Sequence, residues 1–467
     1  MSPGLTVLIM AAGEGTRMRS SLPKVLHPVC GRPMVAWPVL AAREAGADRV
    51  AVIVSPDRDL TPGLPPDTET VIQPEADGTG GAVRAAHDIV RESETVVVLS
   101  GDHPLITADI IRGLLETHRA GGAAATVMTV ELEDPGAYGR IVRDESGDIE
   151  RIVETKDPSQ VPPEELAIKE INTGTYAFAG EPLVAALDQL TNDNSAGEYY
   201  LGDVLPIFRA DGLRVIAHTA SDPNVNLGVN NRADLAVVTA EARRKILEGH
   251  MLSGVTIVDP ASTWIDADVE IAADATIEPG TALRGATSIG ADSIVGPNTT
   301  LTDTKVGAGS RILHSYAVEA EVGDECEVGP FAYLRPGTKL ERGAKAGTFV
   351  EIKNSQVGEG AKVPHLAYVG DAEVGAGANI GAGSITANYD GFSKHRTKIG
   401  DRARIGVNTS LVAAVTVGDD AYTGAGAVIR KDLPEGSLGV SRGEQRNIQG
   451  YAERKRKERE AAEGSGE

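Results

Sequence analysis

Ala372-Glu373-Val374-Gly375-Ala376-Gly377-Ala378-Asn379-Ile380-Gly381-Ala382-Gly383 sets two aliphatic–glycine pairs, Val374-Gly375 and Ile380-Gly381, six residues apart. The same spacing separates Ile289 from Val295, Val322 from Val328 and Ile399 from Ile405. Further pairs fall at Val306, Val357, Val369 and Val417. A six-residue period of aliphatics is the signature of a parallel β-helix. Each aliphatic side chain points into the coil, and the small residue after it permits the tight corner. The competing interpretation is a flexible glycine-rich linker, but linkers do not hold their aliphatics in phase. The spacing predicts a coil over 251–450.

Working outward, the stretch RADLAVVTAEARRKILEGH (232–250) lacks glycine until Gly249 and is rich in Ala, Leu, Glu and Arg. It reads as one helix joining two domains. Before it, short apolar runs at 5–12 (LTVLIMAA), Arg49–Val54 and Thr95–Leu99 alternate with helical patterns at Met34–Glu44 and Gly80–Val90. That alternation predicts an α/β, Rossmann-like domain over 1–231, its sheet mostly parallel and covered on both faces. After the coil, 451–467 (YAERKRKEREAAEGSGE) is a charged tail, a solvated helix or unstructured, with no chemistry assigned.

The 467 residues carry a formal net charge of -22, a surface that repels nucleic acid and anionic membrane. Any phosphorylated substrate must be gathered by local basic residues or by a metal. The two cysteines, Cys30 and Cys326, give no disulfide framework, as expected of a reducing compartment. No stretch approaches the ~20 apolar residues of a membrane span, and the N-terminus lacks a leader pattern. A cytoplasmic protein is expected.

The first chemical constellation follows the first strand. Gly13-Glu14-Gly15-Thr16-Arg17 and then Lys24 offer backbone N–H groups and two cations to phosphate oxygens. The pattern fits neither the Rossmann fingerprint nor the P-loop. Asp102, in Ser100-Gly101-Asp102, ends the run Thr95–Leu99, and ligands of open α/β sheets collect at that edge. A carboxylate there suits Mg²⁺ bridging phosphates, whereas the adjacent His103 reads as structural, because Mg²⁺ prefers oxygen. The second constellation interrupts the repeat rhythm: Leu334-Arg335-Pro336-Gly337, Phe349-Val350-Glu351-Ile352-Lys353, Pro364-His365-Leu366-Ala367-Tyr368 and Asn388-Tyr389-Asp390-Gly391. Side chains that break a repeat are expected on loops, and loops carry function.

Together with Gln73, Gly78-Thr79, Tyr138-Gly139-Arg140, Glu154, Glu170-Ile171-Asn172-Thr173-Gly174 and Gly228-Val229-Asn230-Asn231-Arg232, these motifs resemble the sugar-1-phosphate nucleotidyltransferases. More narrowly, they resemble the bifunctional N-acetylglucosamine-1-phosphate uridyltransferase/glucosamine-1-phosphate acetyltransferases, in order along nearly the whole chain. The resemblance implies that the coil is left-handed and that the protein is a homotrimer of cell-wall precursor synthesis. It implies that Met10, Ala11, Ala12, Gly13, Gln73, Gly78 and Thr79 hold the uridine nucleotide, beside Ser100 and Gly101. Arg17 and Lys24 would meet its phosphates, Gly139, Glu154 and Asn172 the sugar, and Asp102 with Asn230 would bind Mg²⁺. In the coil, His365 would be the general base, with Arg335 and Lys353 on the sugar phosphate and Tyr368 and Asn379 on the sugar. Asn388 would lie between sugar and acetyl-CoA. Ala382, Tyr389, Val407, Ala425 and Arg442 would face acetyl-CoA, and Glu351 is a candidate for orienting His365. The family often carries Tyr in place of Ser100 and usually Ser in place of Val407.

Two other functions compete with this one. A nucleotidyltransferase of single activity would use the coil only for assembly or regulation, but a purely structural coil needs neither His365 nor the loop at Asn388. A non-enzymatic sugar-nucleotide sensor would not need Asp102 paired with Asn230.

Overall fold

The computed structural model describes residues 4–155, 159, 161–194, 197–441, 443 and 445–463. They form two compact units, one running to Leu252 and including Trp264–Val269, the other made of Ser253–Thr263 and the chain from Glu270 onward.

The first unit is a layered α/β domain. Its strands are β1 (Leu5–Met10), β2 (Arg49–Val54), β3 (Glu69–Ile72), β4 (Thr95–Ser100), β5 (Ala125–Glu131), β6 (Arg140–Arg143), β7 (Ile149–Val153), β8 (Glu170–Ala179) and β9 (Val215–Thr219). The order across the sheet is β9-β5-β8-β4-β1-β2-β3, with β6 and β7 appended beside β8. Successive side chains of a strand point to opposite faces. Leu8, Val96 and Val98 therefore enter one layer, with Val83, Leu183, Leu187 and Phe208. Val7, Ile9, Val97 and Leu99 enter the other, with Val39, Ile111 and Leu114. The helices lining these layers include α1 (Ala36–Glu44), α2 (Thr79–Ala85), α3 (His87–Arg91) and α4 (Ala108–Gly121).

Three differences from the sequence reading have local causes. The apolar run 5–12 leaves the sheet at Met10, where the chain turns into the glycine-rich loop. The helix expected over Gly80–Val90 is two, broken at Ala86 with ψ at 19°. Along the main order one strand is reversed, since β8 runs antiparallel to both β4 and β5, and the appended β6 and β7 pair antiparallel as well. The helix Arg232–Leu252 buries Val238 and Ala242 in a cluster with Met18, Val29, Cys30, Met34 and Leu105, and so is packed as part of the first unit.

The second unit is a left-handed parallel β-helix of hexapeptide repeats. Three sheets of short strands form its faces, each strand pairing in parallel with its counterpart in the next coil. The periodic aliphatics form interior columns: Val322, Leu340, Val357, Val374 and Ile399 are register partners on one face, each at most 3% exposed. Buried hydroxyls satisfy the backbone at the corners; Ser310 Oγ donates to the Gly323 carbonyl at 2.7 Å and accepts from Cys326 N–H at 2.9 Å. Cys326 thus occupies a position of this interior ladder.

Most of the expected interruptions prove to be regular coil. Glu351–Lys353, Lys362–His365 and Tyr368–Gly370 are strands in register with their neighbours. The coil restricts only the inward position, so outward positions accept any chemistry without breaking the repeat. The segment 388–395 does leave the coil, held by a bridge between Tyr389 and Lys394 and by His395 Nε2 against Asp390 Oδ2 at 2.7 Å. At one corner the backbone turns with φ between 43° and 60° at His314, Phe331, Phe349 and Leu366. Bulky residues are uncommon in that conformation. Here they stand in a line, Phe331 and Phe349 stacked 5.2 Å apart and both more than half exposed.

Candidate functional site

In the first unit the chemistry gathers at the C-terminal ends of β1 and β4. Gly101 N–H donates to the Met10 carbonyl at 2.9 Å, fixing the two strand ends side by side. The chain after Met10 is tied to β2 by Ala11 N–H on the Ile53 carbonyl. Arg58 steadies the loop beyond it through the carbonyls of Gly13 and Glu14. A methyl group built on Gly13 would meet no atom within 4 Å, so this stretch of loop faces open space.

Lys24 and Arg17 converge on the same edge. The Lys24 ammonium pairs with Asp102 Oδ2, and Arg17 Nη2 donates to Asn230 Oδ1 at 2.8 Å. Val229 N–H donates to the Asp102 carbonyl at 3.1 Å, which places Asn230 beside the acidic residue. Burial pushes the Asp102 carboxyl upward, but His103, Lys24 and the Ser100 hydroxyl, at 2.6 Å, together hold it below the usual carboxylate value. Burial also pushes His103 down, keeping it neutral at physiological pH. The lasting pull on Asp102 at that pH therefore comes from Lys24 and Ser100. His103 fills the space where a side chain on Gly228 would fall, a packing role.

The donor set at this edge is a carboxylate and an amide carbonyl, both oxygen, which suits Mg²⁺. Among the described residues no cluster of three His, Cys, Asp or Glu could hold a metal. Two protein oxygens are what a Mg²⁺ shared with substrate phosphates requires, because that ion keeps most of its other positions for phosphate and water. In the described conformation the cations of Lys24 and Arg17 occupy those oxygens.

Gln73, Gly78 and Thr79 form a second group. Gln73, 5% exposed, donates to Asp77 Oδ1 at 2.8 Å and to the Gly78 carbonyl at 3.2 Å. Gly78 has φ of 102°, and a Cβ there would lie 2.5 Å from the Tyr199 carbonyl, so only glycine fits. Thr79 Oγ1 accepts from Leu201 N–H at 3.0 Å. A third group holds Gly139, Glu154 and Asn172, with Asn172 N–H on the Gly139 carbonyl at 2.9 Å.

The second centre lies along one face of the coil. At one of its corners Arg335 Nη1 donates to Glu351 Oε1 at 2.8 Å, and Lys353 Nζ stands 3.6 Å from Asp371 Oδ2. Asn354 and Asn388 both donate to the Asp371 carboxylate, and Asn388 lies 3.4 Å from the Tyr368 hydroxyl. Burial raises Asp371, but the two amides and Lys353 hold it below its ordinary value. Lys394, from the loop, joins this group: its hydrogen bond with Lys353 and the like charge push it below the usual lysine value. The sequence reading missed Lys394, whose only signal was its place five residues after Tyr389 in the excursion.

His365 stands at the other corner of that face, exposed, in register with Thr348. Asn408 N–H on the Ala382 carbonyl and Gly426 N–H on the Val407 carbonyl continue its column through Ala382, Val407 and Ala425. Asn379 projects on the neighbouring face, between Lys362 and Arg404. Glu351 is engaged by Arg335 in this arrangement. Within one chain, therefore, the corner with His365 is separated by a face from Asn388 and Tyr389. Arg442 lies outside the described residues. No helix among the described residues is long and apolar enough to cross a membrane.

Comparison with known proteins agrees with both units. Residues 7–202 match the MobA-like NTP transferase domain, and 396–431 match the bacterial transferase hexapeptide of six repeats. The chain is 50% identical to the bifunctional protein GlmU of Streptomyces avermitilis over 96% of this chain and 94% of that one. It is 48% identical to that of Kineococcus radiotolerans, covering 98% and 94%. It is 46% identical to that of Mycobacterium tuberculosis, covering 99% and 95%. With both centres present and likeness of this extent running through each, the chain belongs to the bifunctional GlmU family.

Proposed function

We propose that this enzyme, which carries uridyltransferase and acetyltransferase activities, uses its two units in succession on one sugar phosphate. In the coil, the amine of glucosamine 1-phosphate attacks the thioester carbonyl of acetyl-CoA. His365 takes the proton the amine must lose, and coenzyme A leaves as its thiol after protonation. Imidazole titrates near neutral pH, which suits that task. Arg335, Lys353 and Lys394 neutralise the sugar phosphate, and Tyr368, Asn379 and Asn388 orient the sugar.

In the first unit, a phosphate oxygen of N-acetylglucosamine 1-phosphate attacks the α-phosphorus of UTP in line, and pyrophosphate leaves. The protein needs only to position and neutralise. Lys24 and Arg17 swing from Asp102 and Asn230 onto phosphate oxygens. Asp102 and Asn230 would then hold Mg²⁺, which when bound offsets the charge of the phosphates. The nucleotide lies against the Met10–Gly13 turn, Gln73, Gly78 and Thr79, and the sugar against Gly139, Glu154 and Asn172.

The separation of His365 from Asn388 and Tyr389 favours a homotrimer, in which the corner of one copy meets the loop of the next. The exposed line of Phe331, Phe349 and Leu366 beside His365 gives that contact an apolar core. A cytoplasmic location fits the supply of UTP and acetyl-CoA. The observation that carries the whole reading is the presence of both centres, Lys24–Asp102 with Arg17–Asn230 and His365 with the Arg335–Lys353–Lys394 group, in one chain. A product assay with UTP, acetyl-CoA and glucosamine 1-phosphate, omitting each in turn, tests it. UDP-N-acetylglucosamine should form only with all three, and UDP-glucosamine formed from UTP and glucosamine 1-phosphate without acetyl-CoA would refute the order of steps.

A further inference from the structure

Strand β8 is irregular just after Asn172. Against β5, Asn172 pairs with Thr129 and Tyr176 with Val127, so three residues of β8 bridge a span that needs one. Such bulges re-aim side chains next to active sites. Gly174, with φ of 76°, makes the bend, and Thr173 Oγ1 ties it down by donating to the Met128 carbonyl at 2.9 Å.

The bulge leaves Asn172 with both ends of its amide held. Gly174 N–H donates to Asn172 Oδ1 at 2.9 Å, which settles that this atom is the oxygen. Asn172 Nδ2 then faces Tyr176 and donates to its hydroxyl at 2.8 Å. Tyr176 is 4% exposed and stacks on Phe178 at 5.4 Å, so the hydroxyl is a fixed point rather than a swinging one. Burial pushes the Tyr176 phenol up to about 12, and the carboxylates of Glu154 and Asp203 act in the same direction. The group stays neutral throughout the working range.

We propose that Tyr176 is a positioning residue for sugar recognition. It locks the Asn172 amide so that the second N–H of Nδ2 is offered to an acceptor oxygen of the sugar 1-phosphate. Nδ2 has two hydrogens, and one is spent on Tyr176. Without the hydroxyl, the amide is held only at Oδ1 by Gly174 N–H, and Nδ2 loosens about the last torsion, whose profile is broad. The sugar then meets a donor that is less well aimed. The inference rests on the assignment of Asn172 to the sugar, and the test separates the two.

The test compares full-length Tyr176→Phe, Asn172→Ala and the double variant in uridyl transfer, with N-acetylglucosamine 1-phosphate and UTP each varied. Tyr176→Phe keeps the ring and its stacking. It should raise KM for the sugar phosphate roughly five- to tenfold, the worth of one oriented hydrogen bond. Its kcat should stay within about twofold and its KM for UTP unchanged, because the hydroxyl acts only through Asn172. The double variant should be no worse than Asn172→Ala alone, the non-additivity expected of residues in one network. A normal sugar KM in Tyr176→Phe beside a raised one in Asn172→Ala overturns the inference alone, as do penalties that add in the double variant. A normal sugar KM in Asn172→Ala removes the assignment of Asn172 and the inference with it.

Discussion

The two chemical centres are assembled in opposite ways. In the first unit the paired groups come from far apart in the chain: Lys24 and Asp102 are separated by 78 residues, Arg17 and Asn230 by 213. In the coil, Arg335 and Glu351 are separated by 16 residues and Asn354 and Asp371 by 17, one turn of the helix in each case. The first centre exists only when a sheet with a reversed strand is complete. The second is a vertical stack, each member supplied by the next coil. A repeat fold thus builds a site by decorating a regular surface, and a layered fold builds one by bringing strand ends together. Damage to the second should stay local, whereas damage to the first can spread through the sheet.

The largest expected effect sharpens the local half of this contrast. His365→Ala should reduce acetyl transfer by about 10²–10⁴-fold, the usual value of a general base. Uridyl transfer from N-acetylglucosamine 1-phosphate should be unchanged. An acetyl-transfer rate equal to that of the unaltered enzyme would remove His365 as the base. Next, Asp102→Ala should weaken Mg²⁺-dependent uridyl transfer by more than the roughly 10–100-fold that follows loss of a mere outer partner of a metal ligand. Acetyl transfer should survive. A Mg²⁺ titration of the uridyl reaction reads this out, and an unshifted curve would contradict the assignment.

The third test asks whether the first centre depends on remote props. Glu170 begins β8 and accepts from Arg143 Nε at 2.9 Å and Nη2 at 2.6 Å and from Thr129 at 2.7 Å. Burial raises its carboxyl, but Arg143 and the threonine hydroxyls hold it below the ordinary value. A depressed folded-state value means that the stabilisation is complete above the unfolded value of about 4.3 and is lost as pH falls through the lower folded one. Glu170→Gln should cost about 1 kcal/mol at neutral pH, reduced from the full worth of a charged hydrogen bond because Arg143 is partly exposed. The variant should also lose less stability than the parent between pH 5 and the acid limit, a difference that urea melts at several pH values will show.

How much of this was legible from residues alone follows the same division. The coil could be read directly, because its interior columns repeat at a fixed spacing from Ile289 to Val417. Its outward chemistry was legible as residue types but misread as loops, since nothing in the sequence distinguishes an outward side chain on a strand from one on a break. In the first unit the glycine loop and Asp102 were legible because each follows an apolar run. The pairing of Asp102 with Asn230 came from resemblance, not spacing, and the bond from Arg17 to Asn230 was not anticipated. The reversal of β8 was not legible at all: its residues alternate as any strand's do, and direction is set by which neighbours are already in the sheet. The stapling of Asn172 by Tyr176 was hidden for a related reason, because a spacing of four residues in a strand places two side chains together only when a bulge shortens the path.

The smallest expected effect concerns Val407, half exposed in the column above His365 and Ala382. Val407→Ser adds a hydroxyl without disturbing the interior, and KM for acetyl-CoA should tighten or stay the same. A large rise would show that the acetyl-CoA surface is fitted to valine.

The central claim is that two independent centres share one chain, and mixing the variants tests it most directly. His365→Ala and Asp102→Ala, each alone, should make no UDP-N-acetylglucosamine from glucosamine 1-phosphate, acetyl-CoA and UTP, or very little. An equal mixture should restore synthesis, with N-acetylglucosamine 1-phosphate passing through solution from the Asp102→Ala enzyme to the His365→Ala enzyme. A mixture that stays silent, with either folded variant lacking both half-reactions, would contradict the account.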